Sequence, residues 1–150
     1  MTPEEEVSDP GEALVETRQE RGQGDPYERR VTTDGDVLER SSTNVWYDGE
    51  EWHFDPQPLV WRRVVRLEPD ELEEVRQAIA SSGFMHAEPE RRPSGTSIGG
   101  TNVTWTATHD GRTHTVRLYG VPDVSSPEVT ALHEAMEATI ARALQRSGDA

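Results

Sequence analysis

Val103-Thr104-Trp105-Thr106-Ala107-Thr108-His109-Asp110-Gly111-Arg112-Thr113-His114-Thr115-Val116-Arg117-Leu118 alternates apolar and polar residues on both sides of an Asp-Gly dipeptide. Asp-Gly tolerates positive φ at both central positions, so it favours the two-residue type I′ turn whose twist matches paired antiparallel strands. With Asp110-Gly111 as the loop, His109 faces Arg112, Ala107 faces His114, Trp105 faces Val116 and Val103 faces Leu118. All the large apolar residues of the hairpin except Tyr119 then share one side, and the threonines and Arg117 share the other, as a half-buried sheet requires.

Two further Asp-Gly dipeptides extend the pattern. At Asp48-Gly49 the same construction pairs Tyr47 with Glu50, Val45 with Trp52 and Thr43 with Phe54. It gathers Val45, Tyr47, Trp52 and Phe54 on one side and sends Trp46 and His53 to the other. At Asp34-Gly35 it sets Val31 opposite Leu38 and Arg30 opposite Glu39, a candidate edge pair. Leu59 to Leu67 reads as another strand with Trp61, Val65 and Leu67 inward. Arg63 breaks its alternation, and a bulge near Arg62-Arg63 would repair it.

Helix signals separate these strands. Glu68-Pro69-Asp70-Glu71 places proline at the first helical position and acids in the first turn, Leu72, Val75 and Ile79 form an apolar stripe, and Gly83 ends it; a helix is expected over about 69–82. Ser126-Pro127 opens a second, to about residue 146, with Val129, Leu132, Met136, Ile140 and Leu144 at helical spacing. Residues 1–28 carry Glu4, Glu5, Glu6, Asp9, Glu12, Glu16, Glu20, Asp25 and Glu28 among three prolines and few apolar side chains. They read as a disordered acidic tail, in which Gly11 to Arg21, with Ala13, Leu14 and Val15, is able to form a short transient helix. The expected fold is therefore α+β: a single antiparallel sheet built from Asp-Gly hairpins, covered on one face by two helices, in one domain over 29–147 with a long loop at 84–101. At the level of topology alone this resembles small acidic α/β domains of the secretion-chaperone kind, which would imply a protein-binding surface.

The 150 residues include 15 basic and 29 acidic side chains, for a net charge of −14, and no cysteine. Every basic residue is arginine. The absence of lysine removes Schiff-base chemistry and the phosphate-loop lysine, and the absence of cysteine removes disulfides, thiolate metal sites and thiol nucleophiles. A charge of −14 opposes phosphate-backbone binding, so no nucleic-acid partner is expected; it suits solubility, basic partners or life at high salt. No apolar run approaches the roughly 18 residues of a membrane helix, and Met1-Thr2-Pro3-Glu4 is unlike a signal peptide, so the expectation is a cytoplasmic protein without a membrane partner.

Motif-like spacings are sparse. Gly95-Thr96-Ser97-Ile98-Gly99 matches G-x-S-x-G, but a proline precedes it and a hairpin follows, where a nucleophile elbow needs strand, turn and helix. His133-Glu134-Ala135-Met136-Glu137 carries only the first half of H-E-x-x-H. His109 and His114 flank the Asp110-Gly111 turn, and with His133 they define an enzymatic alternative, hydrolytic or metal-dependent. The leading candidate site is instead a patch of Trp46, His53, Arg62, Arg66, Arg117 and Tyr119 on the sheet face left open by the helices. Aromatic and arginine side chains there would bind a protein partner or a second copy. Trp52, Trp61 and Trp105 are expected in the core, and no catalytic set, metal or cofactor is expected.

Overall fold

The computed structural model describes residues 5–7, 9–20, 27–41, 43–56, 60–92, 101–121 and 124–148. Ten strands and two helices follow the order β1 (Glu5–Val7), β2 (Ala13–Glu20), β3 (Tyr27–Thr32), β4 (Asp36–Ser41), β5 (Thr43–Tyr47), β6 (Trp52–Pro56), β7 (Trp61–Arg66), α1 (Pro69–Ser81), β8 (Glu90–Arg91), β9 (Thr101–His109), β10 (Arg112–Val121) and α2 (Pro127–Gly148). Eight strands form one mixed sheet in the order β1-β7-β4-β3-β2-β9-β10-β8, and β5 and β6 make a separate two-stranded ribbon. The architecture is α+β, but the sheet is not purely antiparallel, because the two-residue β8 runs parallel to β10.

β9 and β10 pair His109 with Arg112, Ala107 with His114, Trp105 with Val116 and Val103 with Leu118. Asp110 and Gly111 both have positive φ, at 52° and 74°, the conformation a type I′ turn demands. Across the outer side, Thr106 meets Thr115 at 3.1 Å and Thr108 meets Thr113 at 3.0 Å through their hydroxyls. Val103, Trp105, Ala107, Val116 and Leu118 are buried on the other side, beneath the helices.

The other two turns are longer than two residues, which moves their registers. Val31 pairs with Val37, not Leu38, and Arg29 with Glu39, because Gly35 donates to Thr32 O at 3.0 Å and Asp36 N–H donates to Thr32 Oγ1 at 3.1 Å. This one-residue slip carries Leu38 to the sheet side away from the helices. In the ribbon Tyr47 pairs with Trp52 and Trp46 with His53, so residues 48–51 form the loop. The slip there is two residues, which leaves side-chain parity unchanged.

The acidic stretch expected to be a disordered tail instead supplies β1 and β2. β2 lies in the middle of the sheet between β3 and β9, where Leu14, Val15 and Thr17 are buried. Its alternating acids occupy the opposite side: Glu16 bonds Arg30 at 3.2 Å and Arg18 bonds Glu20 at 3.0 Å. Local composition signalled disorder because it cannot count the apolar surface that neighbouring strands offer a few small hydrophobes.

β7 contains the bulge its sequence requires. Val37 pairs with Val65 and the next residue, Leu38, with Arg63, so Val64 is the extra residue. The bulge reverses the side-chain sense: Val65 joins the helix-side core, whereas Trp61 faces the other way. There Trp61 and Leu38 are buried at 5% and 0% exposure, with Arg40 and Arg30 lying over the indole at 4.4 and 5.0 Å. The sheet face expected to be open thus carries a second, arginine-capped apolar patch, and β1 covers its edge by pairing Val7 with Trp61. Glu28, also buried there, accepts from Arg40 Nε at 2.5 Å.

α1 spans one residue less than expected and α2 two more. Leu72, Val75 and Ile79 from α1 and Val129, Leu132, Met136 and Ile140 from α2 bury their stripes, while Leu144 is left exposed. The long loop is structured at its start: Phe84–His86 form a 3₁₀ turn with Phe84 fully buried, and Arg117 N–H donates to Pro89 O at 2.8 Å as β8 docks. Residues 93–100, including the G-x-S-x-G stretch around Ser97, lie outside the described residues.

Candidate functional site

The ribbon β5–β6 stands outside the eight-stranded sheet, and its loop is built from its own side chains. Asp48 Oδ1 accepts from the N–H groups of Glu50 at 2.8 Å and Glu51 at 2.9 Å, and Asp48 N–H donates to Glu51 O at 3.2 Å. His53 Nε2 lies 2.5 Å from Asp48 Oδ2. The Glu51 amide, then the His53 ring and the Glu50 amide, hold the Asp48 carboxyl below the usual carboxylate range. Gly49 supplies the positive φ, 103°, that closes the loop.

Immediately behind this loop, direct pairing places Tyr47 and Trp52 on one side of the ribbon. Their rings are 5.3 Å apart and tilted by 44°, and they are 55% and 64% exposed. Trp52, expected in the core, is therefore a surface residue: the ribbon has left the main sheet, and its inward-looking parity meets no helix. Exposed Asp48, Glu50 and Glu51 lie on the loop that joins the two ring-bearing residues. The result is an exposed aromatic pair next to an acidic loop, on a ribbon separate from the main sheet.

The patch read from the sequence does not assemble. Arg62 and Arg66 are on β7 and Arg117 and Tyr119 on β10, with β4, β3, β2 and β9 between them. Five strand spacings of about 4.8 Å make that roughly 24 Å. Arg62 is moreover in register with Glu39, on the side α2 covers, because of the bulge. Arg66 bonds Asp36 at 3.3 Å, and Tyr119 lies under Arg92 at 4.2 Å. His53 belongs to the ribbon, as does Trp46 by its backbone pairing; the Trp46 side chain lies outside the described ones, as do those of Val45 and Phe54.

Four of the five histidines divide between two clefts. His109 and His114 line one of about 580 Å³ at the hairpin end of the sheet, together with His86 and Arg112. Composition gave no hint of His86 because the 3₁₀ turn brings it there. His114 acts as a strut: its Nε2 donates to Ala87 O at 2.8 Å and its ring meets Phe84 edge-on at 5.7 Å. His133 is elsewhere, in a cleft of about 270 Å³ with Tyr27, Arg29, Trp105 and Glu137, and its ring stands edge-on to Trp105 at 5.7 Å. The three histidines of the enzymatic alternative therefore do not converge.

In that second cleft Arg29 bonds Glu39 at 2.8 Å and also Glu137 of α2. Burial, reinforced by a hydrogen bond with Glu39, pushes the Tyr27 hydroxyl up to about 12. Among the described residues, the group whose ligand atoms could surround a metal ion is Asp48, Glu51 and His53, within 4.8 Å of one another on the ribbon loop. Two of the three are exposed and Asp48 is already bonded internally.

No protein-family model, curated protein or solved structure matches this chain. Among the described residues no helix is long and apolar enough to cross a membrane.

Proposed function

We propose that this chain is a non-enzymatic protein-binding module of the chaperone, inhibitor or immunity-factor kind, and that its recognition element is the β5–β6 ribbon. The observation that carries the reading is the exposed Tyr47–Trp52 pair on an arm outside the main sheet. A two-stranded ribbon is marginally stable by itself and gains nothing for the fold by displaying two large rings to water. Tyrosine and tryptophan are the side chains that dominate interface energetics, because they supply large contact area with few rotatable bonds. The scatter of the histidines supports binding over catalysis in the same way.

The test is affinity capture with the full chain, run beside Tyr47→Ala/Trp52→Ala and, as a control, Arg117→Ala on the distant β10. A partner retained by the parent and the control and lost by the double variant, with unchanged melting temperature, is the expected result. Retention by the double variant would remove the ribbon from the reading.

A further inference from the structure

We propose that the ribbon tip receives an arginine side chain from a basic segment of its partner, stacked on the Tyr47–Trp52 rings and bonded to carboxylates of the loop that joins them. This rests on the ribbon being the binding element and goes on to name what it binds. The first observation is how the chain treats two other rings on the sheet face away from the helices. Arg40 and Arg30 lie over Trp61 at 4.4 and 5.0 Å, and Arg92 lies over Tyr119 at 4.2 Å. Among the described residues no arginine lies over Tyr47 or Trp52, although those rings are the most exposed aromatics described.

Charge is the second observation. Asp48, Glu50 and Glu51 are exposed on the four-residue loop that joins Tyr47 to Trp52, the Asp48 and Glu51 carboxylates lie within 4.8 Å of each other, and the whole chain carries −14. Asp48 stays ionised because two amides and His53 bond it. A cation over an aromatic face is attracted by the ring quadrupole, and a carboxylate beside the ring adds a charge-assisted hydrogen bond. Guanidinium satisfies both demands at once, since its flat face stacks while its edge donates in a fork; ammonium offers only a point charge. An acidic partner would meet repulsion here, and a purely apolar one would leave the carboxylates desolvated and unpaired.

The experiment follows the Trp52 indole N–H resonance of the full chain, assigned through Trp52→Phe, during titration with a glycine–arginine repeat peptide. Its glycine–citrulline and glycine–leucine counterparts serve as comparisons. The arginine peptide is expected to shift that resonance, to bind about tenfold more tightly than the citrulline peptide, and to weaken with salt and in Glu50→Gln/Glu51→Gln. Equal binding of citrulline or leucine peptides overturns the arginine assignment while leaving the ribbon as a binding element. No shift with any peptide, alongside a captured partner that still needs Tyr47 and Trp52, does the same. A Trp52 shift that depends on protein concentration without peptide overturns it in favour of a second copy of the chain. Capture indifferent to Tyr47 and Trp52 removes the underlying reading.

Discussion

Arg29 on β3 and Glu137 on α2, 108 positions apart, form an ion pair that ties the sheet to the helix covering it. The same guanidinium holds Glu39 on β4 through Nε at 3.1 Å and Nη2 at 2.8 Å. One side chain therefore fixes two strands and a helix. Arg29→Met leaves both carboxylates without it and is expected to cost about 1–2 kcal/mol, read from urea midpoints. Glu137→Gln should cost under about 1 kcal/mol, since that carboxylate is 40% exposed and solvent screens the pair.

Trp61 and Trp52 look alike in the sequence and are opposites in the fold, at 5% and 64% exposure. Trp61→Ala removes the centre of the arginine-capped patch and should cost about 3 kcal/mol or more. Trp52→Ala should change stability by no more than about 0.5 kcal/mol. Equal losses in chemical denaturation would mean that the ribbon is packed against the main body.

Gly35 and Gly49 both have positive φ, at 97° and 103°, but differ in surroundings. A Cβ at Gly35 would stand 2.8 Å from Leu67 O, whose residue donates its own N–H to Gly35 O at 2.8 Å; a Cβ at Gly49 meets no atom within 4 Å. Alanine at Gly49 bears only the backbone strain, about 1–2 kcal/mol. Alanine at Gly35 adds a backbone clash and should cost at least about 1 kcal/mol more, with melting temperatures giving the comparison.

Tyr27, raised to about 12 by burial and its bond to Glu39, binds its proton more tightly in the folded chain than in the unfolded one, where the value is near 10. Its contribution is therefore complete below about pH 10 and is lost as pH rises through about 12. The ultraviolet tyrosinate step that disappears in Tyr27→Phe should be centred near 12. A step near 10 would show that the cleft is open to water.

Periodicity over a single element was legible wherever one face is buried and the turn is set by its own residues. The 103–118 hairpin and both helices met those conditions, because Asp110-Gly111 fixes a register and a stripe such as Leu72, Val75 and Ile79 fixes a helix face. Tertiary structure decided the rest. β2 is ordered because β3 and β9 pair with it on both sides, which acidic composition does not encode. Loop lengths at 32–36 and 48–51 depend on side chains bonding the backbone, Thr32 in one and Asp48 in the other, and Asp-Gly alone does not specify them. The candidate site shows the same division. Tyr47 and Trp52 were legible as sharing one side of a ribbon, though not as direct partners, but whether that side meets a helix or water depends on which sheet the ribbon joins. That choice is made by long-range packing, where no local residue pattern carries the information.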